Sequence, residues 1–171
     1  SAGNHCRLSP QSMIEDFLLP FHIRRSKALD ASGEMEAALR ELLLRNGVKP
    51  AAESLGQLVE KARTLKASPQ LSKALLTSLR ERLDQCEVLV TLRNDIVHSQ
   101  IHAMVSGDVR SVCFIHTQPR GAYGSYARVL TIDELDAFIS DVKRTAAELR
   151  AVKVSPASLP RPPKPGAAGD P

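Results

Sequence analysis

The stretch TLRNDIVHSQIHAM, residues 91–104, closes the longest apolar pattern in the chain, and its reading decides the fold. Upstream, Leu76, Leu79, Leu83, Cys86 and Val90 follow one another in steps of three and four, the spacing of a helix face buried against partners. The same register continues through position 93 to Val97 and Met104. A second stripe of Leu89, Leu92 and Ile96 runs beside it, so the helix is expected to be covered on two sides. Ser68–Pro69 offers a cap followed by proline at the first helical position. The pattern therefore predicts one helix from about residue 69 to Met104, stopped by SGD at 106–108.

Position 93 breaks this register. Arg93 stands where a leucine belongs, and an unpaired buried charge costs several kcal/mol. Its guanidinium must reach solvent or find an anion, and sites that break a local rule are enriched for function. At about 100° per residue, Asn94 lies near 100° and His98 near 140° from Arg93, with about 7.5 Å of axial rise from Arg93 to His98. The three polar groups thus share one half of the helix. An arginine and a histidine with four residues between them are unspecific by spacing alone. Arg110 and His116 form a rival pair, but on an expected strand and without a polar residue directly after the arginine.

Working outward, residues 12–28 look helical but are expected to break near Pro20. Residues 34–46 form an amphipathic helix closed by Gly47 at the C′ position. Ser54 and Gln57 have capping-box spacing and open the helix LGQLVEKARTL, in which Gly56 suggests a close backbone contact. After the long helix the composition turns β-rich at VRSVCFIH (109–116) and YARVL (126–130). The glycine-bearing TQPRGAYGS between them predicts an antiparallel hairpin. Thr131 and Glu134 repeat the capping-box spacing and open a last helix. The segment SPASLPRPPKPGAAGDP is proline-rich and expected to be a disordered or polyproline tail, giving a single domain over 1–151 and a tail over 152–171. Its RPPKP is a solvated tail before it is an SH3-type ligand.

Composition narrows the class. The chain has 171 residues, enough for one domain with its own core. Aromatics are only 4% and tryptophan is absent, so the core must be aliphatic, which favours helix packing. The net charge is +4, but Lys153, Arg161 and Lys164 against Asp170 place +2 of it in the tail. The other 150 residues carry 20 basic and 18 acidic groups, which is no basic stripe for nucleic acid. Cys6, Cys86 and Cys113 are odd in number and lack CxxC spacing, which argues against a disulfide framework or zinc knuckle and for a reducing cytoplasm. No apolar run approaches the roughly 20 residues of a membrane span, and no signal peptide opens the chain.

The bland and the functional readings of the other histidines separate readily. His98 and His102 at i, i+4, with Asp95 nearby, hint at a metal, but the catalytic Glu of a zinc protease and a third ligand are both missing. No metal or other cofactor is expected, and His102 is at most a substrate contact. Cys113 and His116, three apart on one strand, point to opposite faces and make no nucleophilic pair. His22, beside Arg24 and Arg25, belongs to the surface, while Glu15 or Asp16 could supply a resting counter-ion for Arg93.

RNDIVHS resembles the signature of the HEPN domains, helical modules of prokaryotic toxins, antiviral systems and RNA-processing enzymes. In that family an Arg, often followed by a polar residue, precedes a His by four to six residues late in a long helix. The preceding LGQLV helix and the LTIDELDAFISDVKRTAAEL segment after a hairpin extend the resemblance over about residues 12–150, as in abortive-infection-like members. The resemblance implies an all-α, HEPN-like helical bundle with a small β-hairpin before the last helix. It also implies a homodimer whose two Arg–His pairs share a cleft, and metal-independent RNA cleavage. His98 would then exchange the proton, since imidazole suits acid–base work near neutral pH. Arg93 would hold the phosphate with its two-pronged fork, and Asn94 would orient phosphate or His98. The partners implied are RNA and an antitoxin protein. The alternative is a catalytically inactive helical dimerisation module that binds RNA, nucleotide or a partner protein.

Overall fold

The structure, a computed structural model, describes residues 10–69, 71–106, 108–116 and 127–152. The expected loop TQPRGAYGS and the proline-rich tail lie outside the described residues, as does Cys6. Among the described residues four helices and three strands follow in the order α1 (Pro10–Arg45), α2 (Leu55–Arg63), α3 (Lys73–His98), β1 (Ser99–Ser106), β2 (Val109–His116), β3 (Ala127–Thr131) and α4 (Ile132–Ala151). The strands form an antiparallel sheet in the order β1-β2-β3. The all-α expectation is therefore corrected: the chain is mostly helical but carries a genuine three-stranded sheet.

Helix α1 runs unbroken for 36 residues, about 54 Å, straight through Pro20 and Gly33. The expected break at Pro20 does not occur. Phe21, Ala28, Ala31, Met35, Ala38, Leu39, Leu42 and Leu43 are all buried along one stripe, mainly against α4. Burial along that stripe outweighs the backbone hydrogen bond that proline cannot make. The helix stops as predicted. Gly47 adopts φ 75°, and the Val48 N–H reaches back to the Leu43 carbonyl at 2.9 Å, closing a left-handed cap that a side chain would strain.

The two capping boxes are also found. The Ser54 and Thr131 hydroxyls accept from the Gln57 and Glu134 N–H groups, and those side chains reach back to the cap N–H. A Cβ on Gly56 would meet Val90 Cγ1 at 3.7 Å, an ordinary contact rather than a tight one. Helix α4 buries Leu135, Phe138, Ile139, Val142, Ala146 and Leu149 on one face. Its carboxyl end is closed by Arg45 of α1, whose guanidinium donates to the carbonyls of Leu149, Arg150 and Val152. At its other end Arg24 of α1 chelates Asp136.

Helix α3 differs from expectation at both ends. It starts after Ser72, whose hydroxyl accepts from the Leu75 N–H, while Ser68 closes a turn onto Leu71. It ends at His98, and residues 99–106 form strand β1. The helical reading carries the register of Val97 on to Met104, and no Gly or Pro stands between Ser99 and Met104 to stop it. The deciding partner is β2. Its Val112 and Phe114 are fully buried, and Phe114 stands opposite Ile101. Ser106 pairs with Val109, so β1 and β2 are antiparallel neighbours where a helix end was expected.

Candidate functional site

The last two turns of α3 carry Arg93, Asn94 and His98 between α1 and the sheet. Arg93 is half-buried in its stripe slot. Its Nη1 donates to Asn94 Oδ1 at 3.1 Å, and its buried Nε has no hydrogen-bond partner among the described residues. Among the described residues it makes no ion pair, and Glu15 and Asp16 are both exposed without reaching it. The counter-ion expected from α1 is thus not supplied by these two carboxylates. His98 is the final helical residue and is exposed. Arg93 and Asn94 are in contact, while His98 stands one turn further along the same helix.

His102 is not on α3. It lies on β1, directly opposite Cys113 of β2, so the i, i+4 helical relation to His98 does not exist. The helix expected to continue to Met104 is corrected accordingly: it ends at His98. His22 is exposed, as expected. Among the described residues no three His, Cys, Asp or Glu side chains converge on one point. The groove between α3 and α4, about 300 Å³ and lined by Gln85, Val88, Leu89, Asp141, Arg144 and Thr145, does not include Arg93, Asn94 or His98.

Three residues that the sequence reading did not assign hold this end of α3 in place. Arg25 of α1 donates from Nη2 to the Val97 carbonyl at 2.6 Å, satisfying one of the open carbonyls of the last turn. Asp95 is only 2% exposed and accepts from Arg128 Nε of β3 at 2.8 Å. Arg128 stands opposite Phe114, on the sheet face that packs against the helices. Ser99, the residue after His98, is buried, and its hydroxyl has no hydrogen-bond partner among the described residues. The α3–β1 junction is therefore fixed from two sides, by α1 at the backbone and by β3 at a side chain. Arg25 and Arg128 look like ordinary surface arginines in sequence, because their partners lie 72 and 33 residues away.

Chemically, the junction offers a guanidinium with spare donors, an amide already oriented against it, and an imidazole in solvent. Such a set suits an anion that bridges Arg93 to a group on which His98 can act. Comparison with models of protein families, with curated proteins and with solved structures returns no match.

Proposed function

We propose that this chain is a metal-independent endoribonuclease of toxin or phage-defence type, a HEPN-like nuclease working as a homodimer in the cytoplasm under the control of an antitoxin protein. The observation that carries the reading is Arg93. A half-buried arginine with a buried, unbonded Nε and no ion pair among the described residues is a cation held ready for an anion. Exposed His98 lies about 7.5 Å further along the axis, a span that a phosphodiester and its neighbouring ribose can cover.

In the reaction, the ribose 2′-oxygen forms a bond to the adjacent phosphorus while the bond from phosphorus to the 5′-oxygen breaks. The 2′-hydroxyl proton leaves and a proton is delivered to the 5′-oxygen, giving a 2′,3′-cyclic phosphate and a free 5′-hydroxyl. His98 exchanges these protons. Arg93 neutralises the charge that grows on the phosphoryl oxygens. Asn94 fixes the guanidinium through its 3.1 Å bond. A cleft between two copies would set two such pairs on one strand of RNA.

The test is cleavage of total RNA in EDTA by the purified chain and its Arg93→Ala and His98→Ala variants. Cutting by the unaltered chain that each variant reduces at least 100-fold, with cyclic-phosphate ends, supports the proposal. Intact RNA, or equal cutting by all three proteins, overturns it. A second reading, a catalytically silent module that binds RNA, nucleotide or a partner protein, is favoured by one observation: the only hydrogen-bond partner of the Arg93 guanidinium among the described residues is Asn94, not His98.

A further inference from the structure

Strand β1 is an edge strand, and it lacks the usual protection of one. Among the described residues it pairs only with β2. Its eight residues, SQIHAMVS, contain no Lys, Arg, Asp, Glu or Pro, the residues by which natural sheet edges discourage further pairing. Gln100 and every residue from His102 to Ser106 are exposed. Met104 is 42% and Val105 68% exposed, with Val109 at 56% just across the turn. The opposite edge is built differently. β3 has five residues, ties Arg128 inward to Asp95, and runs directly into the capping box of α4.

We propose that β1 is a self-association edge, pairing antiparallel with β1 of a second copy to make one continuous six-stranded sheet. An edge without charge can be laid against its own copy with no like charges brought face to face. The two-fold axis must stand normal to the sheet, so residues of one face meet residues of the same face. The residue numbers of each facing pair then sum to an even number. Two central registers satisfy this, with the axis through His102 or through Ala103. The first sets Val105 opposite Ser99 and leaves its apolar surface poorly matched. The second sets Val105 opposite Ile101, Met104 opposite His102 and Ala103 opposite itself, where its small side chain allows close approach. The apolar match selects the axis at Ala103.

This contact is independent of the nuclease reading. Pairing along the whole strand sets the two His98 residues roughly 30 Å apart at 3.3 Å per residue, so it does not form the shared cleft, which would need a different two-fold. The experiment is light-scattering mass on the full chain at tens of micromolar, beside the Ala103→Lys/Val105→Lys double variant. The double variant should halve the mass and keep its far-ultraviolet circular dichroism and melting midpoint. A second measurement guards against misfolding of that variant. In a Cys6→Ser/Cys113→Ser background, Ala103→Cys should be cross-linked to a dimer by a short bis-maleimide, and Val88→Cys on α3 should not. Cys86 does not interfere, because it is buried and burial pushes its thiol up to about 12. A monomeric unaltered chain overturns the proposal, as does an undiminished mass in the double variant together with no Ala103→Cys cross-link.

Discussion

The two ends of α3 are built on opposite terms. In its first half every stripe position is apolar and buried, with Leu79, Leu83 and Cys86 wholly enclosed. The charges around that half are neutralised, Arg63 by Asp84 and Glu87, and Arg82 by Glu148 of α4. In the last turns the stripe admits Arg93, and Arg93 Nε and Ser99 Oγ are buried without hydrogen-bond partners among the described residues. Arg63 Nε, beside the first half, is likewise buried without a hydrogen-bond partner among the described residues, so what separates the two ends is an enclosed apolar stripe at one and a half-buried cation at the other.

The comparison can be broken or sharpened by substitution. The largest expected effect is at the apolar end, where Leu83→Ala should cost about 2–5 kcal/mol through lost burial and a residual cavity. Chemical denaturation would read it as a lower midpoint at unchanged slope. Next is the brace under the site. Asp95→Ala strips Arg128 of its carboxylate and should cost about 1.5–3 kcal/mol, the range for hydrogen bonds to charged groups. Because the brace acts on the junction, RNA cleavage by that variant should fall even at temperatures where it remains folded.

Arg93→Leu restores the apolar slot and should leave stability unchanged or raise it, while abolishing cleavage. A large loss of stability in this variant would mean that Arg93 is structural, and the contrast between the two ends would fail. The smallest effect lies far from the site, at Glu53. Its hydrogen bond from Lys61 holds this carboxyl below its ordinary 4.5. The unfolded chain then takes up the proton more readily, so the pair stabilises above that value and loses its contribution as pH falls through the lowered one. Glu53→Gln should therefore narrow the gap in melting temperature between pH 7 and pH 3, and leave it unchanged if the pair contributes nothing.

Much of the site was legible because its signal is local. Arg93 stands out against seven neighbours in register, and Asn94 and His98 follow within two turns. Sequence reasoning carries the helix past His98 to Met104 because nothing local between Ser99 and Met104 opposes it, whereas pairing with β2 makes that segment a strand. Arg25, Asp95 and Arg128 were not read as a brace, since nothing near an arginine in sequence tells which distant carbonyl or carboxylate it will meet.

By itself the sequence determined the pieces whose causes lie within a few residues: two capping boxes, the glycine cap at Gly47, the β2–β3 pairing and the buried stripe of α3 from Leu76 to Cys86. Only the tertiary structure decided that α1 continues through Pro20 and that α3 gives way to a strand at Ser99. Both choices weigh a local penalty against burial gained far along the chain, on α4 in one case and on β2 in the other. No window of sequence contains both sides of that balance.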